Sequence, residues 1–144
     1  MKLLADVNFL LALAVEGHAH HVPVRTWFGR LPQDRTIHVC RETQSAFLRL
    51  LCSEAALGRD AITLPAAWSV YATLLASGRF SFVLEPTGLD IAWEKLCRPF
   101  GRSPKVVADA YLAAFAVAGG FRLVTLDRAF SQFPGLAFVR PEQA

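Results

Sequence analysis

The sequence predicts an α/β protein built on a parallel sheet with helices on both faces. Short apolar runs recur at residues 2–5, 37–40, 80–84, 121–125 and 136–139, each the length of a buried strand. Segments with helical spacing of apolar residues separate them, and strands alternating with helices give parallel βαβ units. No internal repeat, low-complexity stretch or linker interrupts the pattern, so residues 1–144 read as one domain.

The first strand covers residues 2–5 and is followed by Asp6-Val7-Asn8 and a helix over 9–15. A polar break at 16–21 leads to a second helix over 22–30, with Trp27 and Phe28 on its apolar face. Pro32 and Asp34 mark a loop before the second strand, 37–40. Residues 42–56 read as one amphipathic helix, with Phe47, Leu48, Leu50 and Leu51 facing inward. Pro65 fits the first turn of the next helix, which runs to 76 and is closed by Ser77-Gly78. A strand over 80–84, a turn at 85–88 and a helix over 89–97 follow, then a loop to Pro104. From 106 to 118 nearly every residue is apolar, so this helix is buried on most faces, and Gly119-Gly120 ends it. The strand 121–125, a short helix after Asp127 and a last strand, 136–139, complete the chain.

Composition narrows the function classes. Apolar residues make up 53% of the chain, more than a domain of 144 residues readily hides, so part of the surface is expected to be covered by a partner. A net charge of +3 permits nucleic acid without demanding it. Cys40, Cys52 and Cys97 are odd in number and lack CxxC spacing, which argues against a disulfide framework or a structural zinc site. The apolar N-terminus is interrupted by Asp6 and Asn8 and lacks a small-residue cleavage site. No apolar run approaches the ~20 residues of a membrane span, so a cytoplasmic protein is expected.

The chemistry lies in three carboxylates. Asp6 directly follows the first strand, Asp127 follows the fourth, and Asp109 opens the helix leading into the fourth. Open α/β sheets bind ligands beyond the carboxyl ends of their strands, and all three fall at that edge. Each alone also fits a structural role: Asp6 and Asp127 as helix caps, Asp109 at the positive end of its helix. Converging, they would repel one another and raise each other's pKa, a conflict that a divalent cation resolves. Hard carboxylate oxygens favour Mg²⁺, with Mn²⁺ as a substitute, over zinc. A water on such an ion could attack a phosphodiester.

The segments LLADVNFLLAL, HVPVRTWF, ETQSAFLRLL, ADAYLAAFA and RLVTLDRAF span nearly the whole chain. In that order they resemble the PIN-domain ribonucleases, in particular the VapC-type toxins of bacterial toxin–antitoxin pairs. The resemblance implies a three-layer α/β/α sandwich with a mostly parallel sheet of about five strands. It implies a Mg²⁺-dependent endoribonuclease, neutralised by a VapB-type antitoxin over the active-site groove, and commonly a homodimer. It assigns Asp6, Asp109 and Asp127 to the metal, with Asn8 and Thr125 as polar partners. The family's further acidic residue, early in the helix after the second strand, matches Gln44 here, and Glu42 is expected on a different helix face. An amide cannot neutralise a cation, so a catalytically weakened module that binds RNA or antitoxin is the alternative. An aspartyl phosphatase would need a second Asp at the position of Asn8.

Other residues have weaker signals. His18, His20 and His21 form a polar run expected to be solvated or capping, with His38 elsewhere. Arg41, Arg49, Arg102, Lys105 and Arg128 could face RNA phosphates. Trp68 and Tyr71, spaced i,i+3, are the expected partner surface.

Overall fold

The structure, a computed structural model, describes residues 1–141. Five strands form one sheet: β1 (Lys2–Ala5), β2 (Ile37–Val39), β3 (Phe80–Phe82), β4 (Phe121–Val124) and β5 (Phe138–Val139). Their order is β3-β2-β1-β4-β5, and every pairing is parallel. The chain therefore reverses its direction of travel across the sheet at β1 and β4, whose registers join Ala5 to Val124 at their carboxyl ends. That switch point is where ligands bind in open α/β sheets.

Seven α-helices flank the sheet among the described residues: α1 (Val7–Ala14), α2 (His21–Arg30), α3 (Arg41–Leu51), α4 (Glu54–Leu57), α5 (Leu64–Ala76), α6 (Leu89–Cys97) and α7 (Val106–Gly119). Strand alternation divides the core in two. Leu3, Ala5, Ile37, Val39 and Val124 point to one face and pack with α1, α2, α3 and α5. Leu4, Phe121 and Leu123 point to the other and pack with α6 and α7. The three layers are those the sequence predicts, and the sheet is parallel throughout rather than mostly so.

The differences are local. The single helix expected over 42–56 breaks after Leu51, because the Ser53 side chain accepts a hydrogen bond from the Ala56 amide and caps a separate short turn. The first helix begins at Val7, two residues early, because Asp6 already serves as its cap. Beyond Asp127 the chain forms a 3-10 helix, Arg128–Gln132. At the end of α7, Gly120 takes a left-handed conformation (φ 71°) that closes the helix and turns the chain into β4.

Candidate active site

At the carboxyl ends of β1 and β4, the Thr125 hydroxyl is the centre of a hydrogen-bonded network. Thr125 is fully buried, and its backbone amide is held by Val139 of β5. Its Oγ1 donates to Asp6 Oδ2 at 2.7 Å and accepts from the Asp127 amide at 3.0 Å and from Asn8 Nδ2 at 3.4 Å. Asn8 Oδ1 in turn accepts from the Leu126 amide at 3.0 Å, tying the start of α1 to the β4 exit loop. Asp6 Oδ1 accepts from the Val7 amide at 2.7 Å, and Asp127 Oδ1 caps Ala129 at 2.9 Å. Asp6, Asn8, Thr125 and Asp127 thus form one rigid unit.

Asp109 approaches from the first turn of α7 and Glu42 from the first turn of α3. With Asp6, Thr43 and Arg49 they line a cavity of about 200 Å³. Burial pushes the Asp6 carboxyl up to about 6, against the lowering effect of the Thr125 and Val7 hydrogen bonds, and the charges of Asp109 and Asp127 push it further. Glu42 is raised by burial, then by Asp109 and Asp6. Asp109 is raised by burial and by Asp127, while the Lys105 ammonium pulls the other way. Three carboxylates, Asp6, Glu42 and Asp109, therefore share a partly desolvated pocket, and Asp127, outside its lining, adds its charge to Asp6 and Asp109.

The donor set is oxygen-only, which suits a hard cation. Among the described residues, no group of three or more His, Cys, Asp or Glu could hold a metal ion as the side chains stand. Mg²⁺ does not need such a cage, because it keeps several waters and binds through one or two carboxylates. The carboxylates and their cavity fit that mode of binding.

Gln44 does not join the site. It is 6% exposed, and its Oε1 accepts from Arg41 Nη1 at 2.5 Å. Thr43, Gln44, Phe47 and Leu51 form the inward face of α3, which turns Glu42, Ala46 and Arg49 toward the cavity. Glu42 thus lies on a different helix face from Gln44, as expected, and it is that face, not the one carrying Gln44, that lines the cavity. An acidic residue in the first turn after β2 was the available signal. Of the expected basic residues, Arg49 lines the cavity, Lys105 acts on Asp109, and Arg102 and Arg128 are exposed. The histidine run is structural: His21 is buried with Nδ1 2.8 Å from the Ala12 carbonyl, and His18 Nδ1 accepts from the His20 amide. Trp68 is 53% exposed, but Tyr71 is 5% exposed and belongs to the core, so the expected aromatic pair presents only the tryptophan.

A five-stranded parallel sheet whose switch point carries an acidic cavity is the architecture of a PIN domain, and the chain belongs to that family: the PIN-domain model matches residues 3–136. Within it, the chain is similar to the VapC ribonucleases. It is 44% identical to Ribonuclease VapC41 of Mycobacterium tuberculosis (strain ATCC 25618 / H37Rv), covering 93% of this chain and 94% of that protein. Ribonuclease VapC31 of the same strain is 32% identical, covering 96% and 97%. Among solved structures, VapBC2 from Rickettsia felis, bound to a DNA fragment from its promoter, superposes with a TM-score of 0.72 at 14% identity, covering 96% of this chain and 98% of that one. Mycobacterium tuberculosis VapC20 superposes with a TM-score of 0.68 at 22% identity, covering 94% and 99%. These structural likenesses speak to the fold.

Proposed function

We propose that this protein is a VapC-type toxin, a metal-dependent endoribonuclease that hydrolyses RNA phosphodiester bonds and is neutralised by a VapB-type antitoxin. The observation that carries the reading is the 44% identity to a VapC ribonuclease over 93% of the chain, in a chain whose own acidic cavity suits that chemistry. Asp6, Asp109 and Asp127, joined by Glu42, would hold Mg²⁺, with Mn²⁺ as a substitute. The ion supplies Lewis-acid activation of water and of the phosphodiester. Thr125 fixes Asp6 through its hydroxyl and Asp127 through its amide, and Asn8 fixes Thr125, so the carboxylates are oriented before anything binds. Arg49 lines the same cavity and would meet phosphate charge there.

The weakened-module alternative rested on Gln44; Glu42, which lines the cavity beside Asp6 and Asp109, would supply that carboxylate and favours the active reading. The family match over residues 3–136 supports a single domain. Leu64 and Trp68, spaced i,i+4 on α5 and 58% and 53% exposed, support a partner-covered face, for the antitoxin or a second copy in a homodimer. No described helix is long and apolar enough to cross a membrane. The test is cleavage of an RNA pool by purified protein. It should require Mg²⁺ or Mn²⁺, stop with EDTA and be lost in Asp6→Asn and Asp109→Asn. Cleavage that survives in both variants would refute it.

A further inference from the structure

A second groove, of about 490 Å³, adjoins the carboxylate cavity and shares Glu42, Ala46 and Arg49 with it as a common wall. Its floor and far side are unlike the cavity. Tyr111, two residues beyond Asp109 on α7, donates its hydroxyl to Glu85 Oε2 at 2.7 Å. Trp93 of α6 packs edge-on against Tyr111, with centroids 5.0 Å apart, and its indole N–H is anchored on the Val107 carbonyl at 2.9 Å. Trp93 is partly exposed and Glu85 is exposed. Arg41 and Arg49 border the groove from α3, and Arg49 has no carboxylate within ion-pair distance among the described residues. Of the three shared residues, Ala46 is small, and Arg49 places a guanidinium where both spaces can use it, so one nucleotide chain can contact both.

Guanidinium groups, an anchored aromatic ring and a fixed hydrogen-bonding group are the parts from which single-stranded RNA sites are made. Bases stack on aromatic faces, and their Watson–Crick edges are read by hydrogen bonds. The reader here is a carboxylate, which only accepts. Guanine alone presents two adjacent donors on its Watson–Crick edge, N1–H and the N2 amino group. Adenine and cytosine set a ring-nitrogen acceptor beside their amino group, and uracil flanks its single N–H with two carbonyls, so each turns at least one acceptor toward the carboxylate. The Tyr111 hydroxyl takes one lone pair of Oε2 and holds the group in place, which leaves Oε1 and the remaining Oε2 lone pair for a ligand.

We propose that this groove is a base-recognition subsite that takes a guanosine next to the scissile phosphate. Glu85 reads its Watson–Crick edge, Trp93 stacks on it, Arg41 and Arg49 face the flanking phosphates, and Tyr111 positions Glu85. The subsite rests on the ribonuclease reading above, and binding without metal separates the two. Fluorescein-labelled hexaribonucleotides of oligouridine with a central G, A, C or U are titrated in EDTA by fluorescence anisotropy. The wild type should prefer the G hexamer by roughly 5- to 150-fold, the range of one bidentate base contact. Glu85→Gln should bring the four hexamers within about twofold of one another without weakening oligouridine, because an amide offers one acceptor where guanine needs two and no longer repels uracil's carbonyls. Trp93→Ala should weaken all four alike. Glu85 is exposed, so an unchanged melting temperature checks that its variant folds. A wild type without a guanine preference, or a preference that survives Glu85→Gln, overturns the proposal. So does the absence of binding to any hexamer, which would leave the groove to a protein partner. Cut sites mapped on an RNA pool with Mg²⁺ form the second arm: guanine enrichment beside the cut should vanish in Glu85→Gln. A wild type that binds the G hexamer selectively yet cuts nothing with Mg²⁺ or Mn²⁺ refutes the nuclease reading and leaves the subsite standing.

Discussion

Replacing Asp6 by Asn should make the metal-free protein more stable at neutral pH, and the size of the gain can be worked out. Folding moves this carboxyl from 3.8 to about 6, chiefly by burial. At 1.36 kcal/mol per pH unit, ionised Asp6 costs the folded state about 3 kcal/mol. A folded pKa raised above the unfolded one means that the native state binds more protons between the two values. Stability therefore falls as pH rises from 3.8 to about 6 and is flat above. Asn keeps the capping oxygen toward Val7, since Asn and Asp cap equally well. Its amide, however, turns a donor toward Thr125 Oγ1, which already accepts from Asn8 and Asp127, a loss of about 1 kcal/mol. The net gain at pH 7.5 in EDTA is about 2 kcal/mol, or roughly 4–8 °C in Tm for a domain of this size. It should shrink on acidification and change sign near about pH 4.5, where the relieved cost equals the lost hydrogen bond. Mg²⁺ should raise the wild-type Tm and move the variant far less. Thermal melts from pH 4 to 8, with and without Mg²⁺, check this. If Asp6→Asn melts below wild type at pH 7.5 in EDTA, with a difference that does not vary with pH, the charge is not strained and Asp6 is simply a cap.

The remaining expectations use the same protein. Asp109→Asn, on a less buried carboxylate, should leave apo stability equal or slightly raised, blunt the Mg²⁺ response in melts and lower RNA cleavage by orders of magnitude. Glu42→Gln should weaken the Mg²⁺ dependence of cleavage by about tenfold or more, whereas Gln44→Glu should leave the Mg²⁺ titration midpoint unchanged, because Gln44 faces Arg41. Thr125→Val keeps the shape but orphans the partners of a buried hydroxyl. It should cost about 1–3 kcal/mol in denaturant melts. It should also move the acid limb of the pH–rate profile upward, because the Thr125 bond is the larger of the two that hold Asp6 down.

Legibility in the sequence followed the physics of each feature. The strands were readable because both sheet faces are covered, which makes Leu3-Leu4-Ala5 or Leu123-Val124 continuous apolar runs rather than alternating ones. Asp6 and Asp127 were readable as a pair because each follows a strand directly, and parallel pairing of β1 with β4 brings strand ends of the same sense together. Glu42 was missed because helix-face geometry was judged from its spacing to Gln44 rather than from the inward set Thr43, Phe47 and Leu51. The break after Leu51 depends on one side-chain bond, Ser53 to the Ala56 amide, against a pattern that favoured continuing the helix. The role of Thr125 as hub needed coordinates, since its partners lie 117 and 119 residues away.

The fold also explains how so much negative charge is tolerated before a cation arrives. In a parallel sheet a helix entered directly from a strand, as α1 and α3 are, or leading directly into one, as α7 does, has its positive end at the carboxyl edge. Asp6 caps α1, Glu42 lies in the first turn of α3 and Asp109 in the first turn of α7. Each placement offsets about 0.3–1 kcal/mol, so the three helices together supply ~1–3 kcal/mol, comparable to the burial cost of Asp6 alone. The offset is incomplete, since Asp6, Glu42 and Asp109 all remain raised. That residual strain is the free energy a divalent cation can recover on binding. Substitutions that lengthen the apolar core without touching the carboxylates should therefore stabilise the apo protein and leave its response to Mg²⁺ intact. Substitutions that remove a carboxylate trade one for the other.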